Sequence, residues 1–268
     1  MSLCTYALLF SVCSISMNIA NKIVAVKFQN PHQVVSLQLF VAASLLVPYV
    51  SLKPGWRTWA STVPILFLVM LLTSYYALQR VSIGSFVITR NITPGITYLI
   101  EYLTSNMELS LYKMIMLFGL LMGVICYERD NVKYDGVGVI MLALNAFAGS
   151  VERVAQKWIM TQEWMECEAK TLSFINNAVS FILLFGYAMI FEPHKTRNML
   201  NWKYKSSIDL CCLAISCFLG FLLSLTGLWL QKKTSATSFQ VIGCLVKLIV
   251  ILTGIVIFDE STTIIGTC

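Results

Sequence analysis

Charge is scarce in this chain. Asp, Glu, Lys and Arg make up only 12% of its 268 residues, against about 25% in a soluble domain. Hydrophobic residues make up 57%, above the roughly 45–50% of a soluble domain, and one core cannot hide that excess. Also missing is the alternation of polar and apolar residues that a transmembrane barrel requires; the apolar runs here are continuous. Histidine is nearly absent, with His32 and His194 far apart, and the nine cysteines contain no Cys-x-x-Cys pair. Cys4, Cys13, Cys126, Cys211, Cys212, Cys217 and Cys244 sit in apolar runs and read as small buried hydrophobes rather than metal ligands or disulfides. No metal and no cofactor is expected. The net charge is +6, but the basic residues are scattered, with no basic arm and no interleaved aromatic platform, which argues against nucleic acid as a partner. The N-terminal "MSLCTYALLFSVCSISM" lacks the basic start of a signal peptide and runs on through "NIANKIVAVKF". It reads as a first transmembrane helix.

What remains is an all-α polytopic membrane protein in a lipid bilayer. A span needs roughly 20 apolar residues. That rule finds nine runs, at about 3–26, 31–52, 58–79, 81–103, 109–127, 136–160, 171–191, 207–230 and 234–258. The longest polar connections, 161–170 and 192–207, are too short to fold as domains. After the ninth run, "TTIIGTC" reads as the first turns of a tenth helix. Nine spans therefore stand where a ten-helix bundle is expected. Runs four and nine share a pattern. "SFVITRNITPGITYLI" and "SFQVIGCLVKLIVIL" each open on Ser-Phe and carry a cation further along, Arg90 and Lys247. A repeat of five helices must be inverted, a plan common among transporters. The organisation expected is a first five-helix repeat at 1–130 and a second at 131–268 that lacks most of its last helix.

A lysine or arginine near the centre of a span costs about 2.5–3.5 kcal/mol on insertion scales, whereas one near a helix end can snorkel. Snorkelling accounts for Lys22, Lys113 and Lys157. Lys247 lies close to the middle of "SFQVIGCLVKLIVILTGIVIF" and Arg90 is intermediate in depth. Two readings stand. Either these cations make structural ion pairs, Lys247 with Glu152 or Arg90 with Glu101, or they face a watery cavity built for an anion. Glu152 adjoins Arg153, but neighbours along a helix do not face each other, so that pair is not expected. Asn176 and Asn177 lie together inside an apolar run. An asparagine offers both donor and acceptor, which suits a nucleobase edge or sugar hydroxyls, and equally suits hydrogen bonding between helices. Gly119 and Gly123 form a GxxxG, a helix-packing pattern that fits a homodimer face. The GxG of "DGVGVI" follows no strand and is not a dinucleotide fingerprint. With no nucleophile–base pair and no phosphate loop, no enzymatic chemistry is expected.

Several short motifs resemble those of the nucleotide-sugar transporters and triose-phosphate translocators of the drug/metabolite transporter superfamily, most of all the GDP-mannose type. They are Asn21-Lys22 followed by the Pro and Gln of "NPHQVVSLQLF", the basic-Asn pattern at Arg90, "FINN" at 174–177, and "GCLVK" at 243–247. "FINN" looks like the family's FYNN, and "GCLVK" like its GALNK with Gly and Lys at the same spacing. Val246 stands where that motif has Asn, and Cys244 where it has Ala. Leu248 stands where the plastid phosphate translocators carry an Arg beside the Lys. The resemblance implies ten helices in two inverted repeats, both termini cytosolic, and antiport of a nucleotide sugar against nucleoside monophosphate across a Golgi or endoplasmic reticulum membrane. It implies that Asn176 and Asn177 read the base, that Gly243 lets backbone approach the ligand, and that Lys247 meets phosphate or sugar. Ser224 and Phe239 would line the cavity, with Arg90 a further cation. The alternative it leaves is a sugar-phosphate/phosphate antiporter. Basic residues divide almost evenly between alternate loops, so the positive-inside rule does not set the orientation.

Overall fold

The computed structural model describes residues 2–27, 31–78, 80, 90–105, 111, 114–115, 117–119, 122, 136–191 and 206–258. The side chains of Lys22, Arg90 and Lys247, the residues Lys113, Gly123 and Cys126, and the tail at 259–268 lie outside the described residues. Among the described residues every element is helical. The helices with bounds are α1 (Leu3–Lys27), α2 (Pro31–Leu46), α3 (Trp56–Leu78), α4 (Thr93–Ser105), α5 (Gly136–Met160), α6 (Ala169–Phe191), α7 (Ser207–Lys233) and α8 (Ala236–Phe258). The described positions between 111 and 122 are also helical. Segments within α1, α3, α5, α6 and α7 are long and apolar enough to cross a membrane. The protein is an all-helical, multi-pass membrane protein.

Two boundaries differ from the apolar runs. The run at 31–52 stops as a helix at Leu46 and continues as a 3₁₀ turn, Val47–Tyr49, containing Pro48. Proline has no N–H to give and clashes with the preceding turn, so the apolar character outlasts the helix. In the run at 81–103, the described backbone is a 3₁₀ turn at Arg90–Ile92 leading into α4 at Thr93. Pro94 lies in the first turn, where a missing N–H costs nothing. Among the cysteines, Cys13, Cys217 and Cys244 are buried as expected, but Cys4 and Cys211 are exposed on their helices.

The chain divides into two compact units, residues 1–65 with 159–233, and 66–158 with 234–268. The first holds α1, α2, the start of α3, α6 and α7. Here α7 packs on α1 closely enough that a Cβ at Gly227 would lie 3.6 Å from Phe10, and one at Gly220 would lie 3.4 Å from Met17 and 3.6 Å from Gln38. Small residues at such crossings let membrane helices gain dispersion contact. A polar knot joins three helices at that level. Gln38 of α2 donates to Asn21 of α1 at 2.9 Å and to Ser216 of α7 at 2.7 Å, while Ser216 donates to Asn21 at 2.8 Å. At one end Trp59, Val63, Ile159, Leu172, Ile175 and Leu228 form an apolar cluster. The 50–55 loop is tied there to the 161–171 segment. The Ser51 N–H donates to Thr171, the Glu166 N–H to the Pro54 carbonyl, and the Cys167 thiol to the Lys53 carbonyl.

The second unit holds the rest of α3, α4, α5 up to Trp158, and α8. Asn145, buried in α5, donates to the Met70 carbonyl at 2.6 Å, to Ser74 at 2.7 Å and to Thr73 at 3.2 Å, all on α3. Ser150 of α5 donates to the Thr93 carbonyl at 3.2 Å. α8 packs along α4.

Gly55 sits in the tied loop with φ +92°, where a built Cβ would lie 2.9 Å from Met165 Sδ and 3.1 Å from the Trp164 ring. Strain of that kind costs about 1–3 kcal/mol for a residue with a side chain. Gly55→Ala is expected to lower the thermal unfolding midpoint of the detergent-solubilised protein by several degrees. An unchanged midpoint would show that the loop relaxes freely.

Candidate functional site

The asparagine pair falls on α6 of the first unit, and the fold separates its two members. Asn177 is buried. Its amide donates to the carbonyl of Ser173 at 2.8 Å, one turn back, and to Ser224 of α7 at 2.8 Å. Ser173 and Ser224 also share a hydrogen bond of 2.7 Å. The amide of Asn177 thus takes the interhelical option open to an asparagine in a span and holds α6 to α7. Ser224, expected as a cavity residue, is part of that tie. Asn176 is different. Its side-chain oxygen is buried and has no hydrogen-bond partner. The hydroxyl of Ser180, one turn further along the same helix, is likewise buried and unpartnered. A buried polar group left unpaired costs about 1–3 kcal/mol, so such groups in a native fold call for a ligand, a water or another conformation.

The second unit carries the remaining candidates. Phe239 and Gly243 lie on α8, as does the backbone of Lys247. Their spacing of four keeps all three within roughly 80° of one another around the helix, at 3.6 residues per turn. A Cβ built at Gly243 meets nothing within 4 Å. Phe239 is buried, and the guanidinium of Arg153 stands 4.9 Å from its ring centroid. Such a cation–π contact is worth more where water is excluded. Arg90 lies in the 3₁₀ turn that leads into α4.

The pairing of acids and bases departs from the sequence expectation. Arg153 Nε lies 3.2 Å from the carboxylate of its neighbour Glu152. Gln156 donates to Glu152 at 2.6 Å and accepts from Arg153 at 3.0 Å. Adjacent residues point about 100° apart on a helix, but the long arginine side chain folds back along the helix far enough to close the gap. The three side chains form a small ring on α5, with Glu152 1% exposed.

Glu101 of α4 is 4% exposed. Its carboxylate accepts the backbone N–H of Ala236 at 2.7 Å and of Thr237 at 2.9 Å, together with the Thr237 hydroxyl. Ser235 accepts the N–H of Ser238 at 3.1 Å. The first three N–H groups of α8, which no helical carbonyl can reach, are all satisfied. Neither Glu101 nor Arg153 stood out from sequence as a site residue. The signal for Glu101 was present: an acid inside an apolar run, and a Ser-Ala-Thr-Ser cap before a hydrophobic helix. Nothing in the sequence joined the two.

A solved crystal structure overlays on the chain with a TM-score of 0.69, covering 97% of this chain and 91% of the other at 12% sequence identity, and shows the same fold. The GDP-mannose transporter GONST2 of Arabidopsis thaliana is 24% identical, over 93% of this chain and 70% of its own length. A GDP-mannose transporter of Scheffersomyces stipitis is 25% identical, over 78% of this chain and 67% of its own. The chain spans about two thirds of the length of these two relatives. The model of the Triose-phosphate Transporter family matches residues 1–268, and the chain therefore belongs to that family: it is a transporter, not an enzyme.

Proposed function

We propose that the protein exchanges a nucleotide sugar, a GDP-sugar such as GDP-mannose, for a nucleoside monophosphate across the Golgi or endoplasmic reticulum membrane. The observation that carries this reading is the buried, unpartnered side-chain oxygen of Asn176. It is an acceptor, so it suits a ligand that brings an N–H donor, as the amino group of guanine, adenine or cytosine does; the choice of guanine rests on the GDP-mannose transporters among the relatives. In this reading Asn176 and Asn177 read the base, with the amide of Asn177 held by Ser224. Gly243 leaves open space beside the α8 backbone. Phe239, Gly243 and Lys247 share one face of α8, and Lys247 and Arg90 supply positive charge for the phosphates.

Charge counting agrees with an anionic ligand. The spans of the second unit contain Arg90, Lys113, Arg153, Lys157 and Lys247 but only Glu101 and Glu152 as acids, and both acids are engaged within the protein. By sequence the cations in these spans outnumber the acids, and an anionic ligand would offset the cost of placing positive charge there. The relatives named above are GDP-mannose transporters. Transport would proceed by rocking of two inverted repeats, at 1–130 and 131–268, about a midplane site. Gly119 is exposed with nothing within 4 Å of a built Cβ, which leaves its face open for a homodimer.

The test is exchange in proteoliposomes preloaded with nucleoside monophosphate, offered GDP-, UDP- and CMP-sugars and triose phosphate. Uptake of GDP-mannose in exchange for GMP is the expected result. Uptake of UDP-sugars alone would remove the GDP assignment, and uptake of triose phosphate alone would favour the sugar-phosphate antiporter. Asn176→Ala is expected to raise the KM for GDP-mannose by about tenfold, the equivalent of one well-made hydrogen bond in a dry site. An unchanged KM would end the base-reading role.

A further inference from the structure

We infer that Glu101 is a positioning residue for the ligand-facing stripe of α8. This rests on the reading of Phe239, Gly243 and Lys247 given above. Glu101 grips the very start of α8, through two backbone N–H groups and the Thr237 hydroxyl. Three bonds from one carboxylate fix both the height of the helix and its rotation about its axis, because the N–H groups of Ala236 and Thr237 point the same way along the axis but stand about 100° apart around it. From there the helix runs as a continuous rod to Phe258. Lys247 is ten residues beyond Thr237, roughly 15 Å along the axis at 1.5 Å per residue. Whatever sets the first turn sets the stripe.

A second contact holds the same turn. Phe239 lies against the guanidinium of Arg153, which Glu152 and Gln156 hold in place on α5. The first turn of α8 is therefore held from α4 and from α5. The choice of a carboxylate is telling. A serine or threonine cap would satisfy one N–H group, and Ser235 already does so for Ser238. Reaching from another helix with a buried acid satisfies the two N–H groups that this cap leaves open and, unlike a local cap, links α4 to α8. The positive end of the helix dipole and charge-assisted hydrogen bonds offset the burial of that acid. The chain that enters α4 carries Arg90, so the link ties together the two segments that bear the paired cations. Binding groups act only when held to within about 0.5 Å of their working position.

The full chain tests this with GDP-mannose as the probe. Glu101→Gln and Thr237→Val are expected to raise KM about fivefold or more while Vmax stays within about twofold, and Thr237→Ser, which keeps the hydroxyl, should behave as the unaltered chain. A readout independent of transport is maleimide labelling of Cys244, buried on α8, in a chain whose other cysteines are replaced. Labelling should speed up about fivefold or more in Glu101→Gln and Thr237→Val, and not in Thr237→Ser. Should Glu101→Gln not fold, the Thr237 pair decides alone. Unchanged KM with unchanged labelling overturns the inference, and so does a fall in Vmax with KM unmoved. If the unaltered chain shows no exchange at all, the proposed function fails, while Cys244 labelling still decides whether Glu101 holds α8.

Discussion

In hydrocarbon no water is at hand to satisfy a polar side chain, so each one within a span must find its partner on another part of the protein. Contacts of that kind join each of α1 to α8 to a neighbour. Gln38 joins Asn21 to Ser216, Asn145 reaches a backbone carbonyl and two hydroxyls of α3, Asn177 bonds Ser224, and Glu101 caps α8. Apolar contact alone gives membrane helices little reason to prefer one neighbour over another, since lipid tails are as apolar as leucine. These few polar contacts supply the preference. Exceptions remain among the described residues: the side-chain oxygens of Asn176 and Ser180 on α6 are open, as are those of Ser36, Asn91, Thr93 and Asn145 elsewhere.

The charged residues follow the same logic at higher stakes. Glu152 and Arg153 are buried to different degrees and joined through Gln156, and the arginine's remaining face lies on Phe239. Breaking such a group by removing one member leaves an uncompensated charge. Keeping it whole costs less and fixes the side chains against one another.

Much of the fold was legible in the sequence. The runs at 136–160 and 171–191 differ from α5 and α6 by no more than two residues at either end, because continuous apolar stretches bounded by polar loops leave little choice. The run at 31–52 was misjudged at its end because hydropathy does not register Pro48. The site was legible by type and less so by role. Asn176 and Asn177 are identical residues side by side in one motif. Only the approach of Ser224, 47 residues away, engages the amide of one and leaves the oxygen of the other open. The pairing of Glu152 with Arg153 was hidden by a spacing rule that concerns where side chains start rather than how far a long one reaches. The link from Glu101 to Thr237 spans 136 residues, a distance over which periodicity carries no information.

The division into two units has a consequence for how the protein is made. The chain passes between the units three times, inside α3, at the end of α5 and in the short join between α7 and α8. Neither unit is a continuous piece of the gene. A membrane protein enters the bilayer helix by helix as it is synthesised, so α1 and α2 arrive before the Ser216 to which Gln38 bonds in the finished fold. Their third partner, Ser216, lies 178 residues after Gln38. At about 5–20 residues per second of synthesis, the first helices wait on the order of ten seconds or more in lipid with part of their polar surface unmet. Assembly of this fold is therefore completed late, and the interval before α7 arrives is when a chaperone, or a wrong neighbour, has its opportunity.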